Sequence, residues 1–296
     1  MSKSYGMSSS TSYLQKFSKF LALAVVGLSL TVLAGMTLRA SAAAPTTRFN
    51  FTQAELNAHW GAERIAPSGG YVSKQAFDRS NVVEIGVNSA EANDDVYHRT
   101  EGIKTAYAAP DNFSAPGNFG QSVSVDLYLN SDWSNKAVRA GLWTVGDNGN
   151  RGTDAINYPF GILEFAHING YQGFRYGGTD DWVNVAGFKD YGKWVTLKIA
   201  LDKDTHQYVL SIDGTKVGQT DSPAPSKYLY SVILNQRNFG KDPQGQLSTT
   251  SYAVDWQGGV AGSNEACKKD DWRASSATYK NQGQCVRDAA RSSDSE

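Results

Sequence analysis

One carboxylate near the middle of the chain is the first candidate for chemistry. Glu164 lies in the segment Gly161-Ile162-Leu163-Glu164-Phe165-Ala166-His167, and alternate side chains share one face if this segment is a strand. Hydrolysis of a glycosidic bond uses two carboxyl groups that flank the bond. The residues two places from Glu164 are Ile162 and Ala166, so this strand supplies one carboxylate and not two. The spacing therefore favours an ion pair or a hydrogen-bonding role for Glu164 over catalysis.

Sugar binding needs less than catalysis. It uses aromatic rings against the apolar face of a pyranose, together with amide, carboxylate or guanidinium groups that bond its hydroxyls. Side chains of both kinds fall on or beside predicted strands: Trp143, Glu164, Tyr171, Arg175, Tyr176, Trp182, Asn235 and Arg237. Strand aromatics also fill cores, and this alternative stays open for Trp143, Tyr176 and Trp182, whereas Trp194 is expected in the core. The residues predict a polysaccharide or glycan ligand.

The sequence gives less support for a nucleophilic serine or cysteine or for a metal site. No Gly-x-Ser-x-Gly turn occurs, and both cysteines are expected in a disulfide, which leaves no thiol as a nucleophile. Two stretches have the oxygen-rich composition of a calcium site: Asp147-Asn148-Gly149-Asn150 with Asp154, and residues 91–95. Asp, Asn and Gly also form turns without a metal. We predict no cofactor, and a structural calcium in one of these loops stays open.

Alternating hydrophobic and polar residues predict the strands that must position these side chains. The clearest run covers 194–218, where the apolar residues of 195–201 and 208–212 recur at every second position. Asp213-Gly214 is a strong signal for a two-residue hairpin turn. Shorter runs of the same kind cover 123–129, 140–145, 160–166, 171–176, 182–185, 228–234 and 251–257. One short helix is predicted at 52–60, with Thr52 as its N-cap.

This pattern of strands separated by turns predicts an all-β fold, a two-sheet antiparallel jelly-roll sandwich over residues 49–260. The strand at 251–257 is expected to return beside residues 49–51. The chain here resembles the concanavalin A-like lectin and glucanase superfamily, which includes laminin-G-like modules. The resemblance is carried by Trp194-x-x-Leu197-x-Ile199, Tyr208-x-Leu210-x-Ile212-Asp213-Gly214 and Tyr252-Ala253-Val254-Asp255. It implies a concave sheet on which family members often bind glycans, but it carries over no catalytic residues to this chain.

An enzyme of the same fold is the alternative function. Polysaccharide lyases of this fold use a neutralising arginine or glutamine, a histidine or tyrosine base and a tyrosine acid on one face. Residues of these types are present: Arg139, His167, Arg175, Tyr176, Gln236 and Arg237. Their spacing matches no lyase motif, so a lyase ranks behind a binding protein and ahead of a hydrolase. A structural surface or adhesion protein is the third class.

The first 43 residues are expected to lie outside the domain. Lys3, Lys16 and Lys19 precede the apolar run 20–38 without an acidic residue, and Ala40-Ser41-Ala42 is a small-x-small site for signal peptidase. This pattern predicts a signal peptide. The apolar run is also near the length that spans a bilayer, so an uncleaved N-terminal anchor stays open. In both cases the domain is expected outside the cell, secreted or at the cell surface.

The charge of the exported part argues against one class of partner. Without the leader, 24 basic residues stand against 29 acidic ones, a net charge of −5. No basic stripe with interleaved aromatic residues is present, so nucleic acid is not an expected partner. We expect a monomer that meets a membrane only through an uncleaved leader.

The last segment, 261–296, contains Cys267 and Cys285. In an exported chain these two are expected to pair and to close a small tail. The segment resembles a short C-terminal element of secreted bacterial proteins, Cys-Lys-x-Gly-Gly-Trp followed by Phe-Lys-Asn-Gln-Gly-x-Cys-Val. The matching residues are Cys267, Lys268, Trp272, Lys280, Asn281, Gln282, Gly283, Cys285 and Val286. Asp270, Asp271 and Tyr279 depart from the element. The resemblance implies a bacterial, extracellular protein.

Overall fold

The structure is a computed structural model. It describes residues 47–63, 65–91, 100–105, 120–147, 161–168, 170–177, 181–188, 190–202, 204–222, 226–239 and 251–262. The predicted leader, the cysteine-bounded tail and nearly all of both candidate calcium loops lie outside the described residues. Within the described part, no helix is long and apolar enough to cross a bilayer.

The described elements are, in chain order, β1 (Thr47–Phe49), α1 (Gln53–His59), β2 (Trp60–Ala62), β3 (Tyr71–Ala76), β4 (Arg79–Val87), β5 (Thr100–Thr105), β6 (Ser122–Leu129), β7 (Val138–Asp147), β8 (Gly161–Ile168), β9 (Tyr171–Gly177), β10 (Trp182–Asn184), β11 (Lys193–Asp202), β12 (Gln207–Ile212), β13 (Thr215–Asp221), β14 (Tyr228–Arg237) and β15 (Tyr252–Gly262). Two short 3₁₀ segments cover Ser89–Glu91 and Ser131–Asn135. The sequence pattern missed β2, the hairpin of β3 and β4, and β5.

The strands pair into two antiparallel sheets. Sheet A has the order β13-β12-β11-β6-β15-β4-β3, with β1 paired to β15, and sheet B has the order β10-β9-β8-β7-β14-β5-β2. Phe49 of β1 is in register with Gly259 of β15, so the chain returns beside its first strand as predicted. The predicted all-β, two-sheet antiparallel sandwich is confirmed.

The core lies between the two sheets, and alternation in the sequence selects the side chains that fill it. Val195, Leu197, Ile199 and Leu201 of β11 are 0–4% exposed, while the residues between them are only partly buried. From sheet B, Leu142, Leu163 and Phe165 join the same cluster. Removal of this apolar surface from water is the main favourable contribution to folding. The alternation also fixes which side chains of sheet B point away from the core.

Two local predictions are confirmed by backbone geometry. Thr52 caps α1, because its side-chain oxygen accepts a hydrogen bond from the backbone N–H of Glu55 at 3.2 Å. Asp213 and Gly214 have φ values of 49° and 80° between the paired residues Ile212 and Thr215. Positive φ at both central positions is the geometry of a two-residue hairpin turn with the twist of its strands.

The prediction that Trp194 belongs to the core is wrong. Trp194 is in register with Tyr128 on the outer face of sheet A and is half-buried there. Its ring centroid lies 5.2 Å from that of Tyr128, and the Arg79 guanidinium lies 4.4 Å from it. Because Val195 points inward, its neighbour in an extended strand must point outward. Arg79 also donates a hydrogen bond to a carboxylate there, Asp126, at 2.7 Å.

Candidate functional site

The candidate site is a row of side chains across the outer face of sheet B. Register pairs join Gly102, Asn235, Gly141, Glu164, Arg175 and Asn184 in sequence from β5 to β10. Directly paired residues of antiparallel strands project on the same face. Arg139 lies two residues before Gly141 on β7 and therefore shares this face. The fold thus brings together charged groups from three neighbouring strands.

An ion-pair network of Arg139, Glu164 and Arg175 occupies the middle of the row. Arg139 donates from Nε to Glu164 Oε1 at 2.9 Å and from Nη2 to Oε2 at 2.8 Å. Arg175 donates from Nε to Oε1 at 2.8 Å, and its Nη2 lies 2.7 Å from the same oxygen. The three residues are 9%, 1% and 8% exposed. Both oxygens of Glu164 are therefore held by guanidinium groups, as an ion-pair role requires.

Trp182 of β10 packs against this network. The guanidinium carbon of Arg175 lies 4.0 Å from the Trp182 ring centroid, and that of Arg139 lies 5.3 Å away. Cations at these distances are attracted to the face of an indole ring. The ring also contacts a small apolar cluster on the same face, formed by Trp143, Ile162 and Ile233. Trp182 is half-buried, so part of an aromatic surface stands beside charged groups.

Burial and the neighbouring charges act on Arg175 in opposite directions. Burial lowers the pKa of its guanidinium, the charge of Glu164 raises it, and the positive charge of Arg139 lowers it again. The resulting pKa lies below the ordinary value for arginine. An arginine starts from a pKa so high that it stays protonated under working conditions. The network therefore holds two positive charges and one carboxylate side by side.

Asn235 lies in the same row between two glycines. It is 2% exposed, and its amide Nδ2 has no hydrogen-bond partner within the described chain. Its register neighbours on the two adjacent strands are Gly102 and Gly141. A Cβ on Gly141 would lie 2.8 Å from both Glu164 Cβ and Trp143 Nε1. The glycine thus leaves the space beside its backbone that the Glu164 and Trp143 side chains occupy. Asn235 keeps an unused donor.

Tyr176 does not belong to this face, so the prediction that grouped it with Arg175 is wrong. It is paired with Leu163, which is fully buried in the core. Its ring packs across the sandwich onto Gly218 of β13, where an added Cβ would lie 2.1 Å from Cζ of the tyrosine. The physical reason is the two-residue period of a strand, which places adjacent residues on opposite faces.

Gly218→Ala is expected to lower the free energy of unfolding by about 1–3 kcal/mol, because the new methyl group must displace the Tyr176 ring. Chemical denaturation of both proteins measures this loss. In a Tyr176→Ala background the space is open, and the same change is expected to cost much less, a coupling that a double-mutant cycle reports. A full loss in both backgrounds would mean that the ring is not what opposes the methyl group.

Three residues considered for lyase chemistry, His167, Tyr176 and Gln236, do not lie on the outer face with the arginines. His167 is paired with Gln172 on the inner face, and its Nδ1 lies 2.7 Å from the carbonyl oxygen of Trp133. Gln236 is fully buried beside Glu101, also on the inner side. Tyr171 does lie near Arg175, but its hydroxyl donates to the Phe174 carbonyl, and burial raises its pKa. A raised pKa opposes the role of a base.

The remaining predicted residues lie on the outer face. Five of them lie close together in the register row or next to it: Trp143, Glu164, Arg175, Trp182 and Asn235. Arg237 projects from the end of β14. Arg139 was absent from the predicted sugar-binding set, because the apolar run placed the strand start at 140 whereas β7 begins at Val138. Arg139 and Trp143 are four residues apart, and an even separation within one strand places two side chains on the same face. This spacing was the signal in the sequence that could have identified Arg139.

A metal site and a cavity were the other candidates for a functional site. The described ranges contain no group of three or more His, Cys, Asp or Glu residues arranged to hold a metal ion. A cavity of about 490 Å³ lies against α1, with Arg48, His59 and Trp60 among its lining residues. None of the predicted site residues lines that cavity. The outer face of sheet B remains the candidate site.

No protein-family model and no curated protein matches the chain. Solved structures do. A glycoside hydrolase family 16 endo-glucanase from Bacteroides ovatus is 13% identical, with 72% of this chain and 99% of that chain covered and a TM-score of 0.48. A GlcNAcα1-4Gal releasing endo-β-galactosidase from Clostridium perfringens is 9% identical over 73% of this chain and 62% of that one, with a TM-score of 0.49. A β-glucanase from Bacillus licheniformis is 10% identical over 73% and 97%, with a TM-score of 0.43.

These neighbours have TM-scores of 0.43–0.49 to this chain. Their sequence identities of 9–13% restrict the likeness to the fold. No residue role passes from them to this chain, because fold and activity are separate properties. The functional residues of this chain must therefore be inferred from its own site.

Proposed function

We propose that this protein is an exported polysaccharide-binding protein whose ligand lies along the outer face of sheet B. The observation that carries the proposal is the adjacency of Trp182 to the Arg139–Glu164–Arg175 network. An aromatic surface beside convergent polar groups is the composition that sugar recognition requires. The proposed location outside the cell rests on the leader sequence.

The dimensions of the row favour a polymer over a single sugar. Register pairs connect residues of β5, β14, β7, β8, β9 and β10 without interruption. Neighbouring strands lie about 4.8 Å apart, so the row is roughly 24 Å long. Asn235, Glu164, Arg175 and Asn184 supply amide and charged side chains along it, and Trp182 lies two residues before Asn184 on β10. A chain of several sugar residues fits a surface of this length better than a monosaccharide does.

A carbohydrate-cleaving enzyme is the second candidate, because ionisable groups from three strands converge on this face. Two observations weigh against it within the described residues. Both oxygens of Glu164 are engaged by arginines, and the positions that flank it on the same face are Ile162 and Ala166. Cleavage by a pair of carboxyl groups would need a second carboxylate near the first. The glucanase and galactosidase activities named for the structural neighbours justify a direct test for products.

Trp182→Ala is the first variant to test for binding. We expect its retention on an immobilised polysaccharide to fall about tenfold, because a ring that both stacks on the ligand and orients Arg175 is lost. The experiment passes the purified protein over a panel of neutral and acidic polysaccharides and records retention together with new reducing or unsaturated ends. Trp194→Ala is the matched control, since this half-buried tryptophan also contacts an arginine, but on sheet A. Its retention is expected to stay unchanged.

The outcomes separate the three classes of function. Retention without new chain ends, weakened by Trp182→Ala alone, supports binding on sheet B. New ends would replace the proposal with an enzyme. Equal loss in both tryptophan variants would move the site away from sheet B. Absence of both retention and products across the panel would favour the structural or adhesion protein.

A further inference from the structure

We infer that the bound polysaccharide is anionic, and that its carboxylate or sulfate groups are recognised by the Arg139–Glu164–Arg175 network. This inference rests on the proposed function and names the chemical class of its ligand. It follows from the balance of charge and of hydrogen-bond donors on the outer face of sheet B.

The network has more positive than negative charge. Two guanidinium groups share the single carboxylate of Glu164, and all three residues are at most 9% exposed. A buried charge without a partner is costly, since it has lost its hydration. The two like charges also oppose each other, which is one of the causes that lower the pKa of Arg175. An anionic ligand group beside the network would balance this charge, whereas a neutral sugar would not.

The donors of the network suit a carboxylate or a sulfate. A guanidinium carries five N–H groups in a planar fork. Arg139 directs Nε and Nη2 to Glu164, and Arg175 does the same with its own Nε and Nη2. Glu164 therefore exhausts the donors of neither arginine. Asn235, 2% exposed and in the same row, adds an Nδ2 amide without a hydrogen-bond partner in the described ranges. A carboxylate or sulfate group of the ligand would supply oxygen acceptors for these remaining N–H donors.

The positive charge is local to this face. The Arg139–Glu164–Arg175 network contributes two basic side chains and one acidic side chain to this face. The whole chain has a formal net charge of −1, and the part after the leader has −5. A protein of negative net charge repels polyanions in general. Retention of an anionic polymer would therefore report this face and not an overall basic surface.

The test compares matched polymers that differ in charge. Immobilised polygalacturonate is paired with its methyl-esterified form, and dextran sulfate is paired with dextran. We expect the purified protein to be retained about tenfold more strongly on at least one anionic member than on its neutral partner, with the preference falling at high ionic strength. The first pair reports carboxylates and the second reports sulfates. Arg175→Gln is expected to remove most of the preference.

Arg79→Gln is the matched control for that variant. Arg79 also pairs with a carboxylate, Asp126, and also lies over a tryptophan, Trp194, but on the outer face of sheet A. The Arg79→Gln variant is expected to prefer anionic polymers as strongly as the unmodified protein does. The comparison within each polymer pair needs no variant, so it stands even if Arg175→Gln fails to fold.

Each result decides one of the two claims. Neutral members retained as strongly as anionic ones would overturn the inference and leave the proposed function in place. Failure of every polymer to retain the protein would overturn both. An anionic preference that persists in folded Arg175→Gln would show that the charge is recognised elsewhere, and the assignment to this network would be wrong.

Discussion

Glu164→Gln is expected to lower the free energy of unfolding by about 3–5 kcal/mol, the range for removing one partner from a buried ion pair. The glutamine keeps the shape of the side chain and removes its charge. Arg139 and Arg175, 9% and 8% exposed, then face each other without a carboxylate between them. The new amide NH₂ group also points a donor at a guanidinium that can only donate. Urea denaturation measures the loss. The dependence of the free energy of unfolding on urea concentration should stay the same in both proteins, so that the shift in midpoint reports stability alone.

Asp126→Asn provides the comparison on the other sheet. Asp126 pairs with Arg79 at 2.7 Å, but the two side chains are 27% and 33% exposed. Ion pairs at such exposure contribute about 0–1 kcal/mol, because solvent screens them and both partners remain hydrated when separated. A loss of similar size in the two variants would contradict the argument that burial makes the sheet B network sensitive. A small loss in both would mean that the network is open to solvent.

Trp133→Ala is expected to destabilise the fold by about 3–5 kcal/mol, as for other large-to-small changes of buried tryptophan. Trp133 lies in the 3₁₀ segment before β7 and is fully buried. Its ring stacks on Phe165 of β8 at 5.6 Å between centroids, and its Nε1 donates to the carbonyl oxygen of Ala253 in β15 at 3.1 Å. One side chain thus contacts strands of both sheets, and its removal leaves a cavity between them. Thermal or urea unfolding measures the loss.

Trp133→Phe separates the two parts of this effect. A phenylalanine keeps an aromatic ring against Phe165 but loses the indole N–H, which leaves the Ala253 carbonyl without that donor. We expect a loss between that of the alanine variant and zero, near 1–3 kcal/mol. Equal stability of Trp133→Ala and the unmodified protein would show that the tryptophan does not hold the sheets together. Trp182→Ala, which removes a half-buried ring from the outer face, is expected to cost less than Trp133→Ala.

Several local features of this protein follow from the sequence alone. The alternation in β11 and β12, the turn at Asp213-Gly214 and the Thr52 cap each depend on residues within a few positions of one another. Local steric preferences and one short-range hydrogen bond are enough to determine them. The number and period of such runs also indicate a two-sheet antiparallel sandwich, because each strand has one apolar face to bury.

The site could not be derived in the same way. Arg139, Glu164 and Arg175 are separated by 25 and 11 residues, and they meet only because β7, β8 and β9 pair in one particular register. A shift of one residue in a strand would turn its side chain to the other face. The same rule sends Tyr176 to the inner face and Trp194 to the outer face of sheet A, against the prediction in each case.

The sequence by itself therefore determined the type of fold and the residue types available for binding a sugar. Only the tertiary structure decided which of these residues share a face, and that a single carboxylate lies between two arginines beside Trp182. The physical reason is that backbone preferences act over a few residues, whereas burial and charge act across strands that are distant in the chain.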